Sequence, residues 1–141
     1  MRILVPIDGS DPADAALDYA LEQFDDDDIV ALYVMDPVDS ATAWGPSGAD
    51  DWLSASQKRS DAVLESASEA AAAAGRTITT DSELGRPSKV IIEYAEENDL
   101  DHIVLGSHGR DGFSRVLLGS VAETVVRRAS MPVTVIRPTA E

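Results

Sequence analysis

A glycine-rich stretch, LGSHGRDGFSRVLLGSVAETVV at positions 105–126, contains the residues best suited to chemistry in this sequence. Glycine can adopt positive φ, and without a Cβ it lets backbone amides approach a ligand closely. Gly106 and Gly109 follow an apolar run, and Gly119-Ser120 opens a helical pattern. A helix N-terminus offers unpaired N–H groups and a positive dipole end to an anion. The stretch therefore predicts a loop that holds phosphate groups.

A purely structural interpretation of this stretch is also open. Ser120 followed by Glu123 forms S-x-x-E, a capping box that needs no ligand. Gly106 and Gly109 can serve as turn residues alone. The sequence contains neither G-x-x-x-x-G-K-[ST] nor G-x-G-x-x-G after the first apolar run, so two stronger nucleotide motifs are missing. Spacing alone leaves the phosphate site and the unliganded turn as alternatives.

Asp8, at the end of the first apolar run, has three interpretations. It can cap the turn before the first helix, accept a phosphoryl group, or hydrogen-bond the polar edge of a ligand. A phosphoryl acceptor needs a bound cation, and this loop supplies only one further acid, Asp11, so ligand contact is favoured. A hydrolase built from Ser107, His108 and Asp8 is disfavoured, because adjacent residues in an extended turn do not face each other and GSHG is not a nucleophile elbow.

Apolar runs alternate with helical patterns along the whole chain, in the order β-α-β-α-β-α-β-α-β. Continuous apolar strands in strict alternation with helices predict a parallel sheet covered on both faces. Right-handed crossovers then require a doubly wound α/β fold of five strands, with a ligand crevice at the strands' carboxyl ends. The strands are predicted within 2–10, 29–37, 76–85, 102–107 and 131–138, and the helices within 11–24, 51–74, 87–99 and 121–130.

Residues at the ends of the helical patterns predict where two of the helices begin and end. Asp11 is placed to cap the first helix, with Pro12 at its first position. Gly75 ends the long second helix at the position that favours glycine. The segment 37–50 before that helix is rich in Pro, Gly and Ser and is predicted to be a loop of open function. Trp44 and Trp52, in and after it, could form a lid or cover the core.

The charge balance is strongly acidic, with 26 Asp and Glu against 11 Lys and Arg and a net charge of −15. Such a surface opposes binding to nucleic acids and anionic membranes, since both need basic side chains. Together with only two lysines, Lys58 and Lys89, it indicates a halophilic source in which salt screens the self-repulsion. The run DDDD at 25–28 is interpreted as a solvated turn, because consecutive carboxylates lack the alternation of an ion-binding loop.

The length and composition of the chain limit the class of protein to which it can belong. A chain of 141 residues that is 44% hydrophobic predicts one domain, 1–141, with one core. The sequence has no cysteine, which excludes disulfides and thiolate chemistry. Neither a signal peptide nor an apolar run of transmembrane length is found, so a cytoplasmic protein is predicted.

Three segments resemble the universal stress protein family: ILVPIDGS, ELGRPSKVIIEYAEENDLDHIVLGSHGR and GSVAETVVRRASMPVTVIRP. Gly106-x2-Gly109-x9-Gly119-Ser120 matches the family's ATP-binding pattern G-x2-G-x9-G-[ST] at every fixed position. The resemblance implies a five-stranded fold of the adenine-nucleotide α-hydrolase-like kind. It also implies ATP as ligand, with Mg²⁺ bridging its phosphates, and a homodimer paired through the last strand, Pro132 to Arg137. AMP, ADP and cyclic AMP stay open as ligands.

The resemblance also assigns residues to the nucleotide. The end of the first strand meets adenine and ribose, the second strand meets adenine, the glycine-rich loop follows ribose and phosphates, and the last helix holds the phosphates. The family often has Thr where this chain has Ala122, which puts one hydroxyl contact in question. The residues so assigned are Pro6, Ile7 and Asp8 at the first strand; Val34 on the second strand; Gly106, His108, Gly109 and Arg110 in the loop; and Gly119, Ser120, Val121 and Ala122 at the last helix.

Three functions follow as hypotheses. The leading one is a dimeric, ATP-binding stress protein of the cytoplasm that acts as a nucleotide-dependent sensor or regulator. A slow ATPase or phosphotransferase is the alternative enzyme, with His108 as the only candidate base in the loop. The third is an interaction module that binds no nucleotide. No catalytic residue and no protein ligand to a metal is assigned, and Arg110 and Arg115 are interpreted as offsetting phosphate charge.

Overall fold

A computed structural model describes residues 1–37, 48–108 and 118–137, with the backbone alone at 48–50. Strands and helices alternate along these ranges, which confirms the predicted element order. The strands are β1 (Arg2–Pro6), β2 (Asp28–Met35), β3 (Thr79–Leu84), β4 (His102–Gly106) and β5 (Val133–Ile136). The helices are α1 (Asp11–Gln23), α2 (Gly48–Ala73), α3 (Pro87–Glu97) and α4 (Ser120–Arg128).

The five strands form one parallel sheet in the order β3-β2-β1-β4-β5. From β1 the chain moves outward through β2 to β3, and then crosses to the other side of β1 for β4 and β5. The doubly wound sheet is thus confirmed. Because the direction of winding reverses between β1 and β4, the loops after these strands diverge and leave a crevice at their carboxyl ends, where doubly wound folds bind ligands.

Helices cover both faces of the sheet, which explains why the strands are apolar without alternation. Ile3 and Val5 of β1 are fully buried against α1 and α2, whereas Leu4 between them is fully buried on the face covered by α3 and α4. Each helix contributes a narrow apolar stripe, and alanine dominates it on α1 and α2. Small side chains let these two helices approach the sheet closely.

The beginning of α1 differs from the prediction by one residue. Ser10, rather than Asp11, is the N-cap, and its Oγ accepts a hydrogen bond from the Ala13 amide at 3.3 Å. The Asp8 carboxylate accepts a bond from the Ser10 amide at 2.9 Å and so fixes Ser10 in the extended conformation of a cap. Asp11 is the exposed first helical residue, and Pro12 follows it.

The other element ends agree with the sequence to within a few residues. Gly75 has φ 77° and ends α2 as predicted, while α2 begins at Gly48, three residues earlier than expected. The intervening segment 38–47, with Trp44, lies outside the described residues. Trp52 is half-buried on α2.

The acidic run at 25–28 is only partly the solvated turn that was predicted. Asp25 and Asp26 are exposed in a turn, but Asp27 forms an ion pair with the N-terminal amine at 3.0 Å, and Asp28 is the first residue of β2. The last two residues of this run therefore help to join β1 and β2.

Candidate functional site

The ends of β1 and β2 bring the first predicted ligand contacts together. Pro6 ends β1 opposite Leu32 of β2, and the Ile7 amide extends the pairing by donating to the Leu32 carbonyl at 2.8 Å. Val34 lies two residues further along β2 and is half-buried. Pro6, Ile7, Asp8 and Val34 therefore lie at one edge of the sheet, as expected for the carboxyl ends of parallel neighbours.

Asp8 has a structural role in this edge. Its Oδ1 accepts the hydrogen bond from the Ser10 amide, so the interpretation that Asp8 caps the turn into α1 is confirmed. The carboxylate is half-buried. Contact with a ligand through Oδ2 stays a prediction, and it is compatible with the turn because a carboxylate has two acceptor oxygens.

The end of β4 is joined directly to the beginning of α4. The Ser107 amide donates to the Ile136 carbonyl at 2.8 Å, and the Ser107 carbonyl accepts a bond from the Gly119 amide at 2.7 Å. A Cβ on Gly119 would lie only 3.0 Å from both Cα and Cβ of His108. The two ends of the glycine-rich loop are thus in van der Waals contact. The loop between them, with Gly109, Arg110 and Arg115, lies outside the described residues.

The beginning of α4 does not carry the predicted capping box. Gly119 is the N-cap, without a side-chain cap, and Ser120 is already the first helical residue and is exposed. The Glu123 carboxylate instead accepts a hydrogen bond from Arg127 at 3.0 Å, one turn further on. The hydrogen bond from the Gly119 amide to the Ser107 carbonyl places the N-cap of α4 at Gly119, so the helix begins one residue earlier than the sequence suggested.

A helix start with glycine as its N-cap is suited to an anion. The amides of Ser120, Val121 and Ala122 belong to the first turn, which has no acceptor within the helix. The positive end of the helix dipole adds to their attraction for negative charge. The Ala122 side chain is 2% exposed and packs in the core beneath α3 and α4, so this residue presents only its backbone to the crevice.

Gly106 has a reason to be glycine other than access for a ligand. A Cβ there would lie 2.7 Å from the Pro12 carbonyl carbon and 2.9 Å from the Ala13 amide nitrogen. Its φ is outside the positive region that favours glycine. Gly106 therefore lets the first turn of α1 pack on the end of β4, a packing requirement that adds to the predicted access for a ligand, which stays a prediction.

Ser107 and His108 do face each other, contrary to the prediction. Their Oγ and Nδ1 atoms are 3.2 Å apart. Ser107 is only 4% exposed, however, and Oδ1 of Asp8 already accepts a bond from the turn before α1. A buried hydroxyl is a poor nucleophile for an external substrate, so this contact orients the histidine and does not create a hydrolase site.

Sequence reasoning missed two residues that build this edge, Ser10 and the backbone of Ser107. The sequence Asp-Gly-Ser-Asp-Pro contains two signals for Ser10 as the cap. A proline in the first turn of a helix places the N-cap one or two residues before the proline, and the Asp8 side chain can accept a hydrogen bond from the amide of Ser10. No sequence signal identifies the Ser107 carbonyl as an acceptor, because every residue has the same carbonyl.

In the ranges that the structure describes, no cluster of three or more His, Asp or Glu side chains is arranged to hold a metal ion. In the same ranges, no helix has the length and hydropathy needed to cross a membrane.

Comparison with known proteins agrees with the fold. The model of the universal stress protein family matches residues 1–137. Universal stress protein MJ0531 of Methanocaldococcus jannaschii is 34% identical over 140 residues, which are 96% of this chain and 81% of that protein.

Two solved structures superpose over nearly the whole chain. Protein MJ0577 of the same organism has a TM-score of 0.83 at 25% identity, covering 99% of this chain and 97% of that one. A universal stress protein solved in complex with cyclic AMP has a TM-score of 0.72 at 26% identity, covering 99% and 98%. The sheet order, the four helices and the match over residues 1–137 lead to one conclusion: the chain belongs to the universal stress protein family.

Proposed function

We propose that this protein binds ATP at the carboxyl ends of β1, β2 and β4 and acts as a nucleotide-dependent sensor or regulator of stress. The observation that carries the proposal is the beginning of α4. Its N-cap, Gly119, has no side chain to bind the first-turn amides and is held against the end of β4 by the hydrogen bond from its amide to the Ser107 carbonyl. A helix start at the switch point of a doubly wound sheet is suited to a phosphate chain.

Each part of the nucleotide has a matching group in the described residues. The first-turn amides of α4 and the exposed Ser120 hydroxyl would hold phosphates. Asp8 and the end of β2 at Val34 would contact ribose and adenine. Gly109 and Arg110, which lie outside the described residues, are assigned to the phosphate side by the family pattern alone. Mg²⁺, which in this proposal is held by the phosphates, would supply charge neutralisation.

The cyclic AMP complex of the related universal stress protein supports an adenine nucleotide as ligand. The same contacts to adenine and ribose would serve ADP, AMP or cyclic AMP. ATP is favoured because the α4 start and the glycine spacing offer amides for several phosphates in a row.

Isothermal titration with ATP and Mg²⁺ tests the proposal, using Ser120→Asp as the decisive variant. An acidic residue at this exposed first position stabilises a helix through its dipole, yet it repels phosphates. We expect the variant to keep its thermal stability and to bind ATP at least about tenfold more weakly, a loss of about 1.4 kcal/mol. Gly119→Val, which would press on His108, is expected to lose binding as well.

Ser68→Asp provides the matched control, because it makes the same charge change on an exposed turn of α2. It should bind ATP like the wild type. Absence of heat at millimolar ATP, or equal affinities of the Ser120→Asp and Ser68→Asp variants, would contradict the proposed site.

A regulatory role is favoured over catalysis. His108, the candidate base, is oriented by the buried Ser107, and Asp8 holds a turn. Phosphate release by the wild type, compared with His108→Ala and Asp8→Asn, separates the two functions. Turnover that either change abolishes would favour an ATPase or phosphotransferase.

We also propose a homodimer that pairs through Pro132 to Arg137. The segment contains β5, which is an edge of the sheet and has a half-buried side chain at each of its four positions. Light scattering should give twice the mass of the chain for the wild type and the mass of one chain for Val135→Asp.

The single domain 1–141, the cytoplasmic location and the halophilic source are also part of what we propose. A melting temperature that rises with KCl would support the last of these.

A further inference from the structure

A cleft of about 460 Å³ lies between α1 and α2, below the turn that joins β1 to α1. Its upper end is formed by Ile7 and Gly9, which flank Asp8, and from there it runs down between the two helices. The volume is within the range of small-molecule sites, about 300–1,000 Å³. Among the described residues, none of α4 or of the end of β4 lines this cleft.

The walls of this cleft are shaped for a narrow, extended ligand. One wall is α2, where Ala62, Ser66 and Ala70 recur every fourth residue and so form a strip about 12 Å long. Leu17 of α1 and Val63 of α2 supply larger apolar surface. An unbranched hydrocarbon chain would fit this groove and would bury its methylene groups against these side chains.

The other wall is negatively charged. Asp14 and Asp18 line the cleft from α1 and are one helical turn apart, so their Cβ atoms are about 5–6 Å from each other. Partial burial raises the pKa of Asp14, and the carboxylates of Asp11, Asp18 and Asp8 raise it further. None of the described residues that line the cleft is basic. Positive charge placed here would relieve the repulsion among these carboxylates.

We propose that this cleft binds an aliphatic diamine or polyamine, with its methylene chain along α2 and two ammonium groups paired with Asp14 and Asp18. The extended distance between the nitrogens of a four-carbon diamine is about 6 Å, close to the spacing of the two carboxylates. An anion would be repelled by this wall. A neutral apolar ligand would desolvate the carboxylates without compensation, and a bare metal ion would leave the apolar wall without a partner.

Titration calorimetry with 1,4-diaminobutane, in 0.15 M KCl and without nucleotide, tests this site. We expect Asp14→Asn combined with Asp18→Asn to weaken binding at least about tenfold, because the ion pairs with both ammonium groups are lost together. n-Butylamine, with one ammonium group, should bind the wild type several-fold more weakly than the diamine. Ser66→Leu should also weaken binding by filling the groove without a change of charge.

Glu65→Gln combined with Glu69→Gln is the matched control. These two glutamates are exposed, have the same four-residue spacing on α2 and make the same charge change, but they do not line the cleft. The control should bind the diamine like the wild type, and so should Ser120→Asp, which separates this site from the nucleotide site. Equal losses in the two double variants, equal affinity for n-butylamine, or no binding of millimolar diamine would overturn the proposal.

Discussion

Replacing Gly106 with alanine should lower the free energy of unfolding by about 1–3 kcal/mol, as expected when atoms are added to a well-packed interior. The added Cβ would lie 2.7 Å from the Pro12 carbonyl carbon, 2.8 Å from the Pro12 Cβ and 2.9 Å from the Ala13 nitrogen. Two of these three atoms are backbone, so no change of side-chain rotamer relieves the collision. The first turn of α1 must move away from β4. Urea denaturation at constant salt measures the loss.

Gly75→Ala is the comparison variant, because it introduces backbone strain without a collision. A Cβ on Gly75 would meet nothing within 4 Å, and only its φ of 77° is unfavourable for alanine. We expect a cost of about 1–2 kcal/mol there, from left-handed backbone alone. At Gly106 the backbone φ is not in the left-handed region, so strain of this kind does not arise there. A Gly106→Ala variant as stable as the wild type would show that α1 does not pack on β4 as closely as the structure indicates.

Replacing Arg76 with alanine should lower the free energy of unfolding by about 2–4 kcal/mol, since hydrogen bonds from a charged group contribute about 1.5–3 kcal/mol each and water replaces some of them. Its guanidinium donates to the carbonyls of Leu21, Phe24 and Asp27 at 2.9, 3.2 and 2.7 Å. These carbonyls belong to the end of α1 and the turn before β2. The last turn of α1 has no basic residue of its own, so Arg76 also compensates the negative end of its dipole.

Two further variants show whether geometry or charge is responsible. Arg76→Lys keeps the charge but cannot span three carbonyls with one ammonium group, so it should recover only part of the loss. Arg59→Ala removes the same charge from an exposed turn of α2 and should change stability by less than about 0.5 kcal/mol. Equal losses for Arg76→Ala and Arg59→Ala, measured by denaturant unfolding, would refute the assigned role of Arg76.

Helix starts show where sequence reasoning loses accuracy. Asp11 was expected to cap α1 and Ser120 to cap α4, but the caps are Ser10 and Gly119, each one residue earlier. A cap depends on which neighbour binds the amides around the turn. Asp8 and the Ser107 carbonyl decide this here. The Asp8 contact is local and readable from the sequence, whereas the contact from Ser107 requires β4 and α4 to be already in place.

Gly75 and Gly106 show the same difference between a local requirement and one that depends on the fold. Gly75 ends α2 in the left-handed conformation that its position after an alanine-rich helix predicted, because that requirement is local. Gly106 was matched correctly to a family pattern, yet the contact that excludes a side chain comes from α1, more than ninety residues earlier in the chain. A motif shows that glycine is needed at a position, but the reason depends on which atoms lie against it.

By itself, the sequence determined the element order, the doubly wound parallel sheet and the family, because apolar periodicity and motif spacing are written along the chain. It also directed attention to the carboxyl edge of the sheet. Only the tertiary structure decided that Gly119 is the N-cap of α4, that Ser107 is buried beside His108, and that Asp14 and Asp18 face the alanines of α2 across a cleft. Each of these features depends on the packing of segments that are far apart in the chain, and only the three-dimensional fold brings those segments together.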